Sequence, residues 1–261
     1  MRDIGIPFGI ATIILILINA GVFYGIQMQD TAKIYDSKWG SDCNVCTFQP
    51  NAVYEGEYYV CPKSAETSGG YNIDLCQKAP ANCCVNTKTD KYSLIPKFAL
   101  EAPWTFITSM FMHGSTGHLL GNMIFLFFIG GMLEQLIGWR RFLAVYFVSG
   151  LIGGLLVLFF IPEYTSVVGA SGAIFGVLGA LVILRPWEII YFDFIPVPVI
   201  IFGGFYVLIN LLAMMGYPLA VAYVGEGVAY SAHFGGAIGG IAFGLYARFV
   251  EKKHIERRRR Y

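Results

Sequence analysis

Charged residues are scarce in this chain. Asp, Glu, Lys and Arg make up 13% of its 261 residues, where a water-soluble globule carries about 25%. A fold with so few charges cannot cover its own surface in water, and with 56% of its residues hydrophobic its natural solvent is lipid. Histidine is rarer still. None of the four histidines sits in a His-Glu-x-x-His pair, which removes the usual zinc peptidase arrangement. The soluble hydrolase elbow Gly-x-Ser-x-Gly is missing as well, because position 173 after Ser171 and Gly172 is alanine. A net charge of +1 describes no strong field. The one basic cluster, Arg248, Lys252, Lys253 and Arg257 to Arg260, follows an apolar helix and reads as a cytoplasmic flank, not a nucleic-acid surface. No cofactor, metal or nucleic acid is expected.

What is present divides the chain. Ile4 to Tyr24 is uncharged and about twenty residues long, enough for one crossing, so residues 1–27 are expected to form a first transmembrane helix. A cleaved signal peptide is the competing reading, weakened because Arg2 is answered by Asp3. Residues 28–103 change character. They hold mixed charge, many Asn, Thr, Ser, Gly and Pro, and all six cysteines: Cys43, Cys46, Cys61, Cys76, Cys83 and Cys84. An even cysteine count in a small polar unit predicts an extracytoplasmic insert stapled by disulfides. Zinc is the alternative, since Cys43-x-x-Cys46 has ligand spacing and Cys83 and Cys84 are adjacent, although no second clean pair closes a tetrahedral site.

Five apolar segments follow within residues 104–250, near Thr116 to Ile137, Phe142 to Phe160, Ala170 to Leu184, Val197 to Met215 and Ser231 to Phe249. Residues 251–261 are a basic tail. Six spans put both termini on one side. Arg2, Arg140, Arg141, Arg185 and the final Arg run fall on that side, which the positive-inside rule makes cytoplasmic. The expected fold is thus an all-α polytopic membrane protein. Gly150 and Gly154, Gly172 and Gly176, and Gly236, Gly240 and Gly244 recur at intervals of four, giving successive helices flat faces for close approach.

Polar groups inside or at the ends of apolar helices carry the functional signal, because each needs a partner or a wet cavity. His113, His118 and Asn122 open the second span, Ser171 opens the fourth, and His233 opens the sixth. Singly, Ser171 reads as an N-cap and Asn122 as helix glue. Together they share one depth near the non-cytoplasmic face. A serine is a poor nucleophile until an imidazole takes its proton, so Ser171 with His233 is the minimum for acyl transfer. Gly169 and Gly172 leave room for a substrate backbone, and Asn122 and His118 have N–H groups to offer an oxyanion. No carboxylate is placed behind His233, which predicts a dyad with the imidazole oriented by packing.

At these residues the chain resembles the rhomboid intramembrane serine proteases. The set is Gly169-Ala170-Ser171-Gly172, then Ala232-His233 with Gly236 and Gly240, with His118 and Asn122 in the second span and His113 upstream. The resemblance covers Trp104 to the C-terminus plus the first span. It implies a six-helix core, Ser171 as nucleophile, His233 as base, and His118 and Asn122 as oxyanion donors. It also implies cleavage of single-span or polytopic membrane proteins in or near a transmembrane segment, within the lipid bilayer of a plasma membrane, with a small residue at the cleaved position. Phe175 falls where an aromatic packs on the catalytic imidazole. The family's Trp-Arg pair is Trp104-Thr105 here, and Glu134 matches a structural acidic position. The alternatives are an inactive relative that binds client helices, and a transporter, whose polar residues should instead line a path across the bundle. Nothing in the pattern signals an oligomeric state.

Overall fold

The computed structural model describes residues 9–28, 91–163, 165–192, 195–225 and 227–258, and five short strands between residues 53 and 78. Those strands and residues 251–258 are described as backbone only. Six long helices carry the architecture: α1 (Ile10–Gln27), α2 (Thr116–Ile137), α3 (Trp139–Phe160), α4 (Ser171–Leu184), α5 (Val199–Met214) and α6 (Tyr230–Arg258). Among the described residues, α1, α2 and α3 are long and apolar enough to cross a membrane, while α4 and α5 are shorter apolar helices. The protein is a multi-spanning membrane bundle. The five later expected segments coincide with α2 to α6 to within a few residues, except that α6 continues through Arg258 into the expected tail. Residues 4–8 of the first expected segment, Ile4 to Tyr24, lie outside the described residues.

Helix α4 explains the arrangement. Its 14 residues reach about 21 Å at 1.5 Å per residue, short of a hydrocarbon core of roughly 30 Å. It is therefore enclosed by protein, with Gly172, Ala173, Ile174 and the run Gly176 to Leu181 buried. Glycine makes that enclosure possible. A Cβ on Gly236 of α6 would strike the carbonyl of Gly172, one on Gly240 would strike that of Gly176, and one on Gly179 would lie 2.6 Å from Ala237 O. From the other side, a Cβ on Gly176 would strike Ser149 of α3, and one on Gly153 of α3 would lie 2.5 Å from Ala232 O of α6. The glycine stripes are thus contact surfaces where backbones meet directly.

Two side chains fasten α1 against α2. At one end the Glu134 carboxylate accepts the Ala11 N–H (3.0 Å), the Thr12 N–H (2.7 Å) and the Thr12 hydroxyl (2.8 Å), satisfying orphan donors of the α1 N-terminus. At the other, the Gln27 carboxamide reads the backbone of His113 both ways, donating to its carbonyl (2.6 Å) and accepting from its N–H (2.9 Å). The two helices are antiparallel as a result. Leu94 and Val167 form a two-bond bridge (3.0 and 2.9 Å) that stitches the segment before α2 to the α3–α4 link.

Within the region between α1 and α2, β1 (Val53–Tyr54), β2 (Glu57–Val60) and β5 (Gln77–Lys78) form an antiparallel three-stranded sheet, and β3 (Glu66–Thr67) pairs with β4 (Gly70–Tyr71). The disulfide expectation is corrected: no disulfide bond is found among the described residues, and Cys43, Cys46, Cys61, Cys76, Cys83 and Cys84 all lie outside them. A second departure is the hairpin of β6 (Ile189–Phe192) and β7 (Ile195–Pro198) between α4 and α5, where the sequence reads as the approach to a span. Pro196 and Pro198 bar a helix there and favour an extended edge.

Candidate active site

The site forms where the starts of α2, α4 and α6 converge on a cavity of about 870 Å³, lined by Ser109, His118, Asn122, Gly169, Ser171 and His233 among others. Ser171 is the first residue of α4, and the N-cap position belongs to Ala170, which makes no side-chain cap. The N-cap reading of Ser171 thus fails: its hydroxyl is free to face α6, where His233 Nε2 lies 2.7 Å from Oγ. That distance follows from the glycine contacts below it, since two helices whose backbones touch can exchange a hydrogen bond between the first-turn side chains.

His233 is 8% exposed and held on three sides. The Phe175 ring lies flat on the imidazole, centroids 4.3 Å apart and planes 8° from parallel, as expected for that position one turn after Ser171. The third contact was not foreseen. Asn210 of α5, 1% exposed, puts its Oδ1 2.8 Å from His233 Nδ1, while its Nδ2 donates to Tyr206 O at 2.9 Å. An uncompensated polar side chain in the apolar run of α5 was the available signal.

On the opposite wall, Ser115 caps α2 by accepting the His118 N–H at 3.1 Å. The Gly114 N–H points at His118 Nδ1 (3.4 Å), which leaves Nε2 as the protonated nitrogen. That nitrogen looks toward Gly169, where a Cβ would lie 3.0 Å from it. Gly169 has φ +131°, a conformation that favours glycine, and its own N–H is committed to Ser109 O at 2.9 Å. The Gly169 N–H is therefore spent, whereas the N–H groups of Ser171 and Gly172 belong to the first turn of α4, where no intrahelical acceptor exists. A Cβ on Gly172 would lie 3.2 Å from Ala232 O, so this glycine serves helix approach. Asn122 is 8% exposed, and its Nδ2 is buried with no hydrogen-bond partner among the described residues.

His113 is fully buried in the loop before α2, its ring edge-on to His118 at 5.1 Å, and neither ring nitrogen has a hydrogen-bond partner among the described residues. Burial, with His118 beside it, pushes its pKa down to about 4, so it stands behind His118 as a neutral ring. The position of the missing family arginine, Thr105, bonds locally to Ala102 O at 2.7 Å. Among the described residues no group of three or more His, Cys, Asp or Glu is disposed to hold a metal.

The Rhomboid domain family model matches residues 100–248, more than half of the chain and all of the site. The chain is 33% identical over 181 residues to "Rhomboid protein 1, mitochondrial" of Saccharomyces cerevisiae, covering 64% of this chain and 49% of that protein. It is 35% identical over 145 residues to "RHOMBOID-like protein 5" of Arabidopsis thaliana, covering 54% and 43%. It is 38% identical over 139 residues to "Rhomboid-like protease 5" of Toxoplasma gondii, covering 53% and 16%. The chain thus spans half or less of the length of these relatives. With the model match extending over α2 to α6 and a serine and imidazole meeting inside that region, the chain belongs to the rhomboid family.

Proposed function

We propose that the protein is an intramembrane serine protease that hydrolyses a peptide bond in or near the transmembrane segment of single-span or polytopic membrane proteins. The observation that carries this reading is the 2.7 Å contact between Ser171 Oγ and His233 Nε2 inside a membrane bundle. In the first half-reaction Oγ attacks the scissile carbonyl as its proton passes to Nε2. The oxyanion is met by the Ser171 N–H, the unpartnered Asn122 Nδ2 and the His118 Nε2–H. The carbon–nitrogen bond then breaks, and the imidazolium returns its proton to the leaving amine. In the second, water attacks the acyl-serine, its proton passes to Nε2, and the proton goes on to Oγ as the ester breaks.

A helical carbonyl is shielded, so the substrate must unwind locally at the site. The opening for it lies between α2 and α5, closed by rings: Phe125 stacks on Phe202 (5.9 Å) and meets Tyr206 edge-on (5.9 Å). Beyond α5, Gly216, Gly225 and Gly227 have φ of 82°, 103° and 76°, hinges for the link around the Pro218–Val224 helix. Gly169 on the cavity wall suits a small residue at the cleaved position.

The topology we propose has six spans, α1 to α6, with both termini cytoplasmic and residues 28–103 as an extracytoplasmic insert. It divides the chain into residues 1–27, 28–103, 104–250 and 251–261. Supporting it, Arg140, Arg141 and Arg185 all lie at the ends of helices opposite Ser171 and His233. Cleavage of a single-span reporter in proteoliposomes is the test. Wild type cuts and Ser171→Ala does not, and a fluorophosphonate probe labels the protein only when Ser171 and His233 are both present. A wild type that neither cuts nor labels ends the protease reading.

A further inference from the structure

Resting on that reading, we infer that Asn210 is a positioning residue: from α5 it fixes His233 in the one tautomer that can accept the serine proton. The geometry leaves a single assignment. The carboxamide Nδ2 donates to Tyr206 O at 2.9 Å. Flipped over, Oδ1 would face that carbonyl, acceptor against acceptor, so Oδ1 must be the atom 2.8 Å from His233 Nδ1. A carboxamide oxygen only accepts, so Nδ1 carries the proton. Nε2 is then bare, and the 2.7 Å contact with Ser171 is a hydroxyl donating to it.

Without Asn210 the tautomer with Nε2 protonated would leave Nδ1 as an acceptor, and the contact with Ser171 would run the wrong way for proton removal. Burial sharpens the choice, because at 1% and 8% exposure neither group has bulk water to substitute for the other. The Phe175 face holds the ring plane but cannot distinguish its two nitrogens. Asn210 also stabilises the imidazolium formed during attack, without itself taking a proton. The other titratable side chains lining the cavity, among the described residues, are His118 and Tyr206.

The test uses the full chain, labelled with [15N]histidine and compared as wild type, Asn210→Leu and Asn210→Asp, with His233→Gln assigning the resonance among four histidines. Expected in wild type is a protonated Nδ1 and a bare Nε2 at His233. Asn210→Leu, similar in size but lacking an acceptor, shifts His233 toward the other tautomer. It lowers kcat on the reporter by roughly 10- to 100-fold with KM within about twofold. Asn210→Asp keeps the acceptor, retains the wild-type tautomer, and moves the acid limb of the kcat profile to higher pH, because a carboxylate favours the imidazolium. A merely structural asparagine would not move that limb. A wild-type tautomer and kcat in Asn210→Leu would overturn the inference. Where that variant fails to fold, an unmoved acid limb in Asn210→Asp overturns it. A wild type that cuts nothing but shows the same tautomer shift removes the protease reading and leaves the positioning role standing.

Discussion

The two walls of the cavity are built on opposite principles. The wall formed by α3, α4 and α6 is glycine against carbonyl: a methyl group added at Gly236, Gly240, Gly179 or Gly153 has nowhere to go. The wall formed by α5 and the Pro218–Val224 helix is aromatic. Phe202, Phe205, Tyr206 and Tyr223 pack ring to ring at 4.7 to 5.9 Å, and open space surrounds Gly204, Gly216, Gly225 and Gly227. Backbone contacts fix a distance, whereas rings can slide and repack. Ser171 and His233 sit on the first wall, where hydrogen-bond length matters, and on the proposed reading the substrate's path lies along the second, where room must be made. Precision and access are thus assigned largely to different helices, with Asn210 of α5 the exception.

Substitutions that exchange these properties should break the contrast in graded fashion. The largest effect is expected from Gly240→Leu, whose side chain would be driven into the Gly176 carbonyl. Separating α4 from α6 should cost about 4 kcal/mol or more, abolish fluorophosphonate labelling and leave little folded protein by thermal unfolding in detergent. Next comes Glu134→Leu, outside both walls, which strips three donors of α1 of their acceptor. A loss of about 2 to 4 kcal/mol should appear as a lowered unfolding midpoint, with reporter cleavage preserved at low temperature. Phe125→Ala opens the aromatic seam between α2 and α5. It should raise kcat/KM for the reporter by a few-fold while costing about 1 to 2 kcal/mol of stability, and a drop in rate would show that the seam positions substrate instead of admitting it. The smallest effect belongs to Gly225→Ala, at φ +103° in open space. Backbone strain of about 1 kcal/mol should slow cleavage slightly and leave labelling of Ser171 unchanged.

Much of the fixed wall was legible because periodicity reports it. Glycine at every fourth position marks where helices touch, and Ser171 and His233 stand one residue before or three before those glycines, so their meeting follows from the stripe. His118 and Asn122 were legible for the same reason, four apart on one helix. The adjustable wall left weaker traces. Aromatic residues scattered through an apolar helix look alike whether they seal a seam or face lipid. Asn210, the most consequential residue on that wall, sits mid-helix in Val-Leu-Ile-Asn-Leu-Leu with no motif around it. Only its cost in lipid could have flagged it, and nothing in the sequence tells which ring nitrogen it would meet. The β6–β7 hairpin was hidden similarly, because the continuous apolar residues of its strands read as the approach to a span and only Pro196 and Pro198 within them mark the break.

The hydrogen bonds at His233 have a further consequence for how the molecule comes into being. On the proposed reading the nucleophile belongs to α4, the group that orients the base to α5, the base itself to α6, and the Asn122 amide, without a partner among the described residues, to α2. During synthesis the last of these to emerge is the imidazole, so until α6 has been made and packed the serine lacks the base that the proposed reaction needs. On that reading competence arrives only with α6, and a copy truncated before His233 carries a serine without its base.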